Sequence, residues 1–242
     1  MEEYLEDHLP SKSGEYLPAI GIPTRPSFQN RNLIHPVLPR SMRTNGVMIL
    51  GAYPTAVFER IENHVVPVGN VDEPFDPKTA SGRELDEFYL APLGLQRGDC
   101  WITNLVKVFL FKPEHAGSDQ PQNRPLLRSA FEALANTEGN RAWLGEEIRA
   151  ASPQLIITLG REVAGIVRGV IEDRARNELL GGSIHEGVFE GIAVKWVHLP
   201  HPGIVMRKGS DNNPWPERHA QFCEELKPKI RELITAGDFR EA

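Results

Sequence analysis

The sequence predicts an α/β protein: a single three-layer α/β/α domain around a central, mostly parallel sheet of four strands. Two observations carry that prediction. Short apolar runs recur along the chain, most of them stopped by Gly or Pro, and helical stretches fill the gaps between them. Strands that alternate with helices join in parallel, because each connecting helix packs back across the sheet. A chain of 242 residues can bury one such core without disulfide or metal staples.

Residues 1–45 carry Pro10, Pro18, Pro23, Pro26, Pro36 and Pro39 with no sustained period, so an irregular Pro-rich arm is expected there. The domain itself is expected over 46–242. Its first strand is the apolar run 47–50, closed by Gly51. The β-rich run 101–108 is the second, 155–159 the third before Gly160, and 192–199 the fourth before Pro200. Runs this apolar fit strands covered on both faces. Helices are expected over 82–91, 126–135, 141–151, 162–171 and 216–235.

Composition excludes several classes. No run approaches the roughly 18 apolar residues that a membrane span needs. The start, Met1-Glu2-Glu3-Tyr4-Leu5-Glu6-Asp7, is acidic where a signal peptide would be basic and then apolar, so a cytoplasmic protein is expected. Cys100 and Cys223 cannot by themselves form a disulfide framework or a four-thiolate metal site. A net charge of −6 argues against a surface that is basic throughout. Phosphate contact needs only a local patch, so nucleic acid remains a possible partner.

In a parallel sheet, chemistry gathers beyond the carboxyl ends of the strands, which directs attention to 51–56, 104–112, 160–162 and 200–208. Gly51-Ala52-Tyr53-Pro54-Thr55 forces a tight turn whose backbone is open to a ligand, although a plain strand-to-helix connection has the same look. Asn104 sits in an apolar strand. Its amide either bonds a loop or reads the edge of a nucleobase, since it offers donor and acceptor together. His198 and His201 lie three apart, with no acid or thiol nearby to complete a metal set. His201 is flanked by Pro200 and Pro202, a rigid setting for a donor aimed at developing negative charge. Ile204-Val205-Met206-Arg207-Lys208 joins an apolar tip to two cations, either to unstack a base and hold flanking phosphates or as a core-contacting loop with solvated charges. The run 160–165 lacks dinucleotide glycine spacing and reads as a helix start.

Taken together and in order, these segments resemble the uracil-DNA glycosylase superfamily, and within it the iron–sulfur variety called family 4. Gly51-Ala52-Tyr53-Pro54-Thr55 stands where that family has Gly-x-x-Pro-Gly. Pro74-Phe75 with Ser81-Gly82-Arg83-Glu84-Leu85-Asp86 is similar to its stacking loop and following helix. Ile102-Thr103-Asn104-Leu105-Val106-Lys107 is similar to its Ile-Thr-Asn-x-Val-Lys strand, and Gln122-Asn123-Arg124-Pro125 to its next segment. Pro153 to Gly160 resembles its central strand, and His201-Pro202-Gly203-Ile204-Val205-Met206-Arg207 its His-Pro loop. The resemblance runs from about Val47 to Arg231.

Two departures stand out. The family holds a four-iron cluster on four cysteines, one of them directly after the Val-Lys of the strand; here that position is Val108, and no cofactor is expected. Relatives carry Glu, Asp or Asn in the first motif to hold the attacking water, whereas this chain has Ala52 and Tyr53.

The resemblance implies hydrolysis of an N-glycosidic bond in DNA after the nucleotide is flipped out of the stack. It implies that Phe75 stacks on the base, Asn104 reads its Watson–Crick edge, and His201 stabilises the departing anion. Gly51, Ala52 and Pro54 would line the base site, with water held by the 51–55 backbone or the Tyr53 hydroxyl. Met206 would fill the vacated stack, while Lys107, Arg161, Arg207 and Lys208 would hold phosphates. The base could be uracil, a deaminated purine or a bulky modified pyrimidine, and a monomer is expected. The alternatives are a catalytically silent nucleic-acid-binding module of the same fold and an enzyme acting on a free nucleoside or nucleotide.

Overall fold

The computed structural model describes residues 13–22, 25–61, 63–115, 121–205 and 213–238. Strand β1 (Val47–Gly51) is buried along its whole length, as a four-residue apolar run in mid-sheet must be. It pairs in parallel with β4 (Cys100–Asn104) on one side and β5 (Leu155–Leu159) on the other. Strand β7 (Ile192–Leu199) continues the parallel set beside β5.

The sheet has five strands, in the order β4-β1-β5-β7-β6, which corrects the expected four. The additional edge strand, β6 (Gly181–Phe189), runs antiparallel to β7. Three glycines and only two buried residues, Gly182 and Phe189, hide it from any apolar pattern. Backbone pairing makes it a strand, through a tight turn at Glu190 and Gly191, whose φ angles are 47° and 77°. A second sheet, the antiparallel hairpin β2 (Ala56–Ile61) and β3 (His64–Asn70), leaves the main sheet right after the first motif.

Side chains alternate across the main sheet with a period of two. Met48, Leu50, Trp101, Ile156 and Trp196 enter one core; Val47, Ile49, Ile102, Ile157 and Val197 enter the other. Helices cover both faces, giving the three layers. The first face packs against α5 (Glu138–Ala151) and α6 (Arg161–Arg168) through Leu144, Ile148, Val163 and Ile166. The second packs against α2 (Ala80–Leu85), its π-turn continuation Asp86–Leu90, the short α3 (Ala91–Leu93) and the long α9 (Trp215–Asp238). No helix among the described residues is long and apolar enough to cross a membrane.

Local chemistry moved several element boundaries. The second strand ends at Asn104, after which Leu105 and Val106 donate to the carbonyls of Gly51 and Ala52 at 2.8 and 2.9 Å. Of the helix expected over 126–135, only α4 (Phe131–Ala135) is α-helical, because Leu127 is extended at φ −72°, ψ 148° and splits it from tight turns. Gly169, at φ 66°, ends α6 before Ile171. Helix α7 (Asp173–Glu178) follows separately. Within the expected arm, helix α1 (Ser13–Ala19) and the segment after it put Tyr16, Ile20, Phe28 and Ile34 into the first core.

Candidate active site

The parallel register places Gly51 and Asn104 side by side at the carboxyl ends of two neighbouring strands. Gly51 has to be glycine there. A Cβ on it would lie 2.5 Å from Asn104 Oδ1 and 2.5 Å from two carbons of the Phe75 ring. The backbone therefore comes into direct contact with both side chains, and three residues far apart in sequence form one wall. Asn104 is buried, and its Nδ2 has no hydrogen-bond partner among the described residues. Leaving such a donor unsatisfied costs about 1–3 kcal/mol, a cost that a ligand acceptor removes.

Phe75 reaches this wall from a strained backbone, with φ at 53°. A bulky residue in the left-handed region costs on the order of 1–3 kcal/mol and persists only where its surroundings over-determine it. Here they do. Arg97 donates to the Phe75 carbonyl at 2.6 Å and to Asp86 at 2.8 Å. The Asp76 carboxylate accepts from the backbone of Lys78 and Asp72, and Thr79 caps α2 by accepting from Gly82.

His201 stands at the end of β7, separated from β1 by β5, before the short helix α8 (Pro202–Val205). Tyr89 anchors the loop by donating its hydroxyl to the Pro200 carbonyl at 2.5 Å. His201 Nδ1 accepts from the Gly203 N–H at 3.1 Å, which leaves the imidazole proton on Nε2. Burial lowers the His201 pKa, with Glu162 opposing and Arg128 assisting the shift. The ring is thus a neutral Nε2–H donor at neutral pH, suited to an oxyanion. The other histidine of this motif, His198, is fully buried, bonds Thr158 Oγ1 at 2.7 Å and has its pKa pushed down to about 3 by burial.

Tyr53 lies against Phe131, with ring centroids 5.4 Å apart, and under the Arg128 guanidinium at 5.6 Å. Burial raises its pKa, keeping the phenol protonated; Arg128 lowers it and Glu162 raises it. Both charges act on Tyr53 and His201 alike, so the four side chains lie within electrostatic reach of one another, at what we call the mouth. Ala52 and Pro54 complete the first motif, Pro54 buried and Ala52 packed on the first core. Sequence reasoning missed Arg128 and Glu162. Glu162 was within reach, because it follows the carboxyl end of β5; Arg128 sits in a tight turn that carries no pattern of its own.

The expectation for Lys107 is overturned. Its ammonium is fully buried, ion-paired to Glu147, and donates to Thr103 Oγ1 at 2.7 Å and to the Asn104 carbonyl at 2.6 Å. It cannot reach a phosphate without breaking that network. Burial lowers its pKa, and Glu147 works against that shift. Arg161 is partly exposed and pairs with Glu162 at 3.0 Å. Met206, Arg207 and Lys208 lie outside the described residues. Asn123 braces the N-terminal segment, its amide bonding both backbone groups of Ser27.

A four-iron cluster does not fit this chain. Cys100 and Cys223 are both buried, and burial pushes each thiol up to about 12, away from the thiolate a cluster needs. Val108 is buried in the first core. Among the described residues no three His, Cys, Asp or Glu side chains gather as a metal site. A separate cleft of about 660 Å³ between Thr55, Ala56 and the Phe75 loop is lined by Asp72, Asp76 and Glu84, with Lys78 paired to Asp72 at 2.8 Å.

The sequence profile of the Uracil DNA glycosylase superfamily matches residues 41–222. A Type-4 uracil-DNA glycosylase of Pyrobaculum aerophilum is 31% identical over 166 residues, which make up 67% of this chain and 69% of that protein.

Proposed function

The chain belongs to the uracil DNA glycosylase superfamily, and from that premise we propose that it is a DNA N-glycosylase that hydrolyses the glycosidic bond of a flipped-out uracil. One observation carries the reading: Asn104 Nδ2 is buried with no hydrogen-bond partner among the described residues, on a side chain whose Oδ1 meets the bare Gly51 backbone beside the Phe75 ring. A uracil stacked on Phe75 offers its O4 to that donor and its N3–H to Asn104 Oδ1. Cytosine presents a donor where uracil has O4, which leaves the amide unsatisfied again. Discrimination follows from that unpaired group.

Bond cleavage puts negative charge on the departing base and oxocarbenium character on the sugar. His201 Nε2–H donates to the anionic base oxygen. The neutral imidazole gives this bond through Nε2–H while its Nδ1 accepts from the Gly203 N–H. Arg161, with Arg207 and Lys208, holds phosphates, and Met206 fills the gap left by the flipped nucleotide. One feature favours a silent DNA-binding module instead: the first motif offers Ala52 and Tyr53 but no carboxylate.

The test is excision from oligonucleotides carrying uracil, hypoxanthine, xanthine, hydroxymethylcytosine or its glucosylated form, single- and double-stranded, read by alkaline scission. Scission at uracil, lost in His201→Ala, supports the reading. Scission only at a bulky cytosine derivative moves the substrate to modified pyrimidines. Salt-sensitive binding with no scission at any base overturns catalysis in favour of the silent module.

A further inference from the structure

We propose that Glu162 is the catalytic carboxylate that holds and deprotonates the attacking water, taking the place of the acid missing from the 51–55 motif; the proposal rests on the glycosylase reading above. Glu162 opens α6 directly after β5, so it belongs to a different strand end from the first motif. Its Oε1 is held by Arg161 Nε at 3.0 Å. A Cβ built on Gly160 would lie 3.6 Å from Oε2, 3.5 Å from His201 Cβ and 3.9 Å from His201 Cδ2. The second carboxylate oxygen and the Cβ–Cδ2 side of His201 therefore flank the same space beside Gly160, and Cδ2 is bonded to Nε2, the donating nitrogen. Gly160, at φ 105° and without a side chain, keeps that space clear.

Of the four side chains at the mouth, Glu162 alone is suited to accept a proton. Arg128 is a permanent cation. His201 uses Nδ1 for the Gly203 N–H and carries its proton on Nε2. Tyr53 is a protonated phenol under the Arg128 guanidinium. The Glu162 side chain is 46% exposed, open enough to hold a water while Arg161 restrains it. Asp173 approaches Arg161 only at 3.9 Å, on its NH2, and leaves the Arg161 Nε contact to Glu162 intact.

Water oxygen bonds to C1′ as the C1′–N bond breaks, and that bond's electron pair leaves on the base. The water proton passes to Glu162, and the base anion, held by His201, takes a proton to become the free base. Glu162 returns to its carboxylate when it releases its own proton to solvent.

The experiment uses the full chain and a uracil-containing oligonucleotide under single-turnover conditions, with affinity for abasic DNA measured alongside. Glu162→Gln keeps the shape and removes the base, and it should slow excision by about 10²–10³-fold with abasic affinity within about twofold of the parent. Glu162→Asp should recover at least about tenfold of that loss, and added formate should speed Glu162→Ala, which a merely structural role would not allow. Excision by Glu162→Gln within about threefold of the parent overturns the proposal and leaves the glycosylase reading standing. A fall in rate and abasic affinity together, with no rescue by formate, overturns it equally. Absence of excision in the parent protein overturns both.

Discussion

The two walls of the site are built on opposite principles. The base wall, Gly51, Phe75 and Asn104, is buried, uncharged and over-braced, down to a left-handed Phe75 held by Arg97. The mouth, Tyr53, Arg128, Glu162 and His201, is partly open and carries charges of both signs. Reading a base demands fixed donors and acceptors in a dry setting, where one unsatisfied amide outweighs several loose contacts. Breaking a bond demands groups aimed at charge that exists only in the transition state. Under the proposed function, the difference assigns specificity to the first wall and rate to the second.

The comparison can be broken from beneath. The buried Lys107–Glu147 pair supports the base wall, because Lys107 also holds the Asn104 carbonyl. Lys107→Ala strands a buried carboxylate and should lower stability by about 3–5 kcal/mol in urea titration, far more than a surface phosphate contact would. His201→Ala tests the mouth: excision should drop by about 10²–10³-fold, worth about 2.7–4 kcal/mol, with the thermal midpoint barely moved. If the midpoint falls instead, His201 serves the fold and the separation of roles fails.

Gly51→Ala should sharpen the contrast, since its methyl meets Asn104 and Phe75 at 2.5 Å. A cost of about 1–3 kcal/mol in thermal unfolding is expected, together with relaxed discrimination between uracil and cytosine. Arg161→Gln should have the smallest effect on stability. Its exposed ion pair is worth about 0–1 kcal/mol, and losing one phosphate contact lowers the salt slope of DNA binding by about one. An unchanged slope would remove Arg161 from the DNA surface.

Much of this was legible in the chain. Unbroken apolar runs stopped by Gly or Pro announced the parallel strands, because a strand buried on both faces has nothing to alternate. Asn104 and His201 stood out because a polar group in an apolar strand and a histidine between prolines are both costly without a task. Strand β6 did not stand out, since its order comes from pairing with β7 and not from its own side chains. Lys107 misled for a similar reason: a lysine after an apolar strand looks like a surface cation until its partner, Glu147, arrives from a helix forty residues away.

The sequence by itself determined the layers, the strand ends at which chemistry could gather, and the family resemblance, since all three rest on local order along the chain. Only the tertiary structure decided which of those strand ends face one another. It buried one cation and left another at the mouth. It set the Phe75 ring against Gly51, and it brought Glu162 and His201 to the same space beside Gly160. Those choices depend on contacts between residues distant in sequence, and their energies come from burial and close approach, which no local pattern encodes.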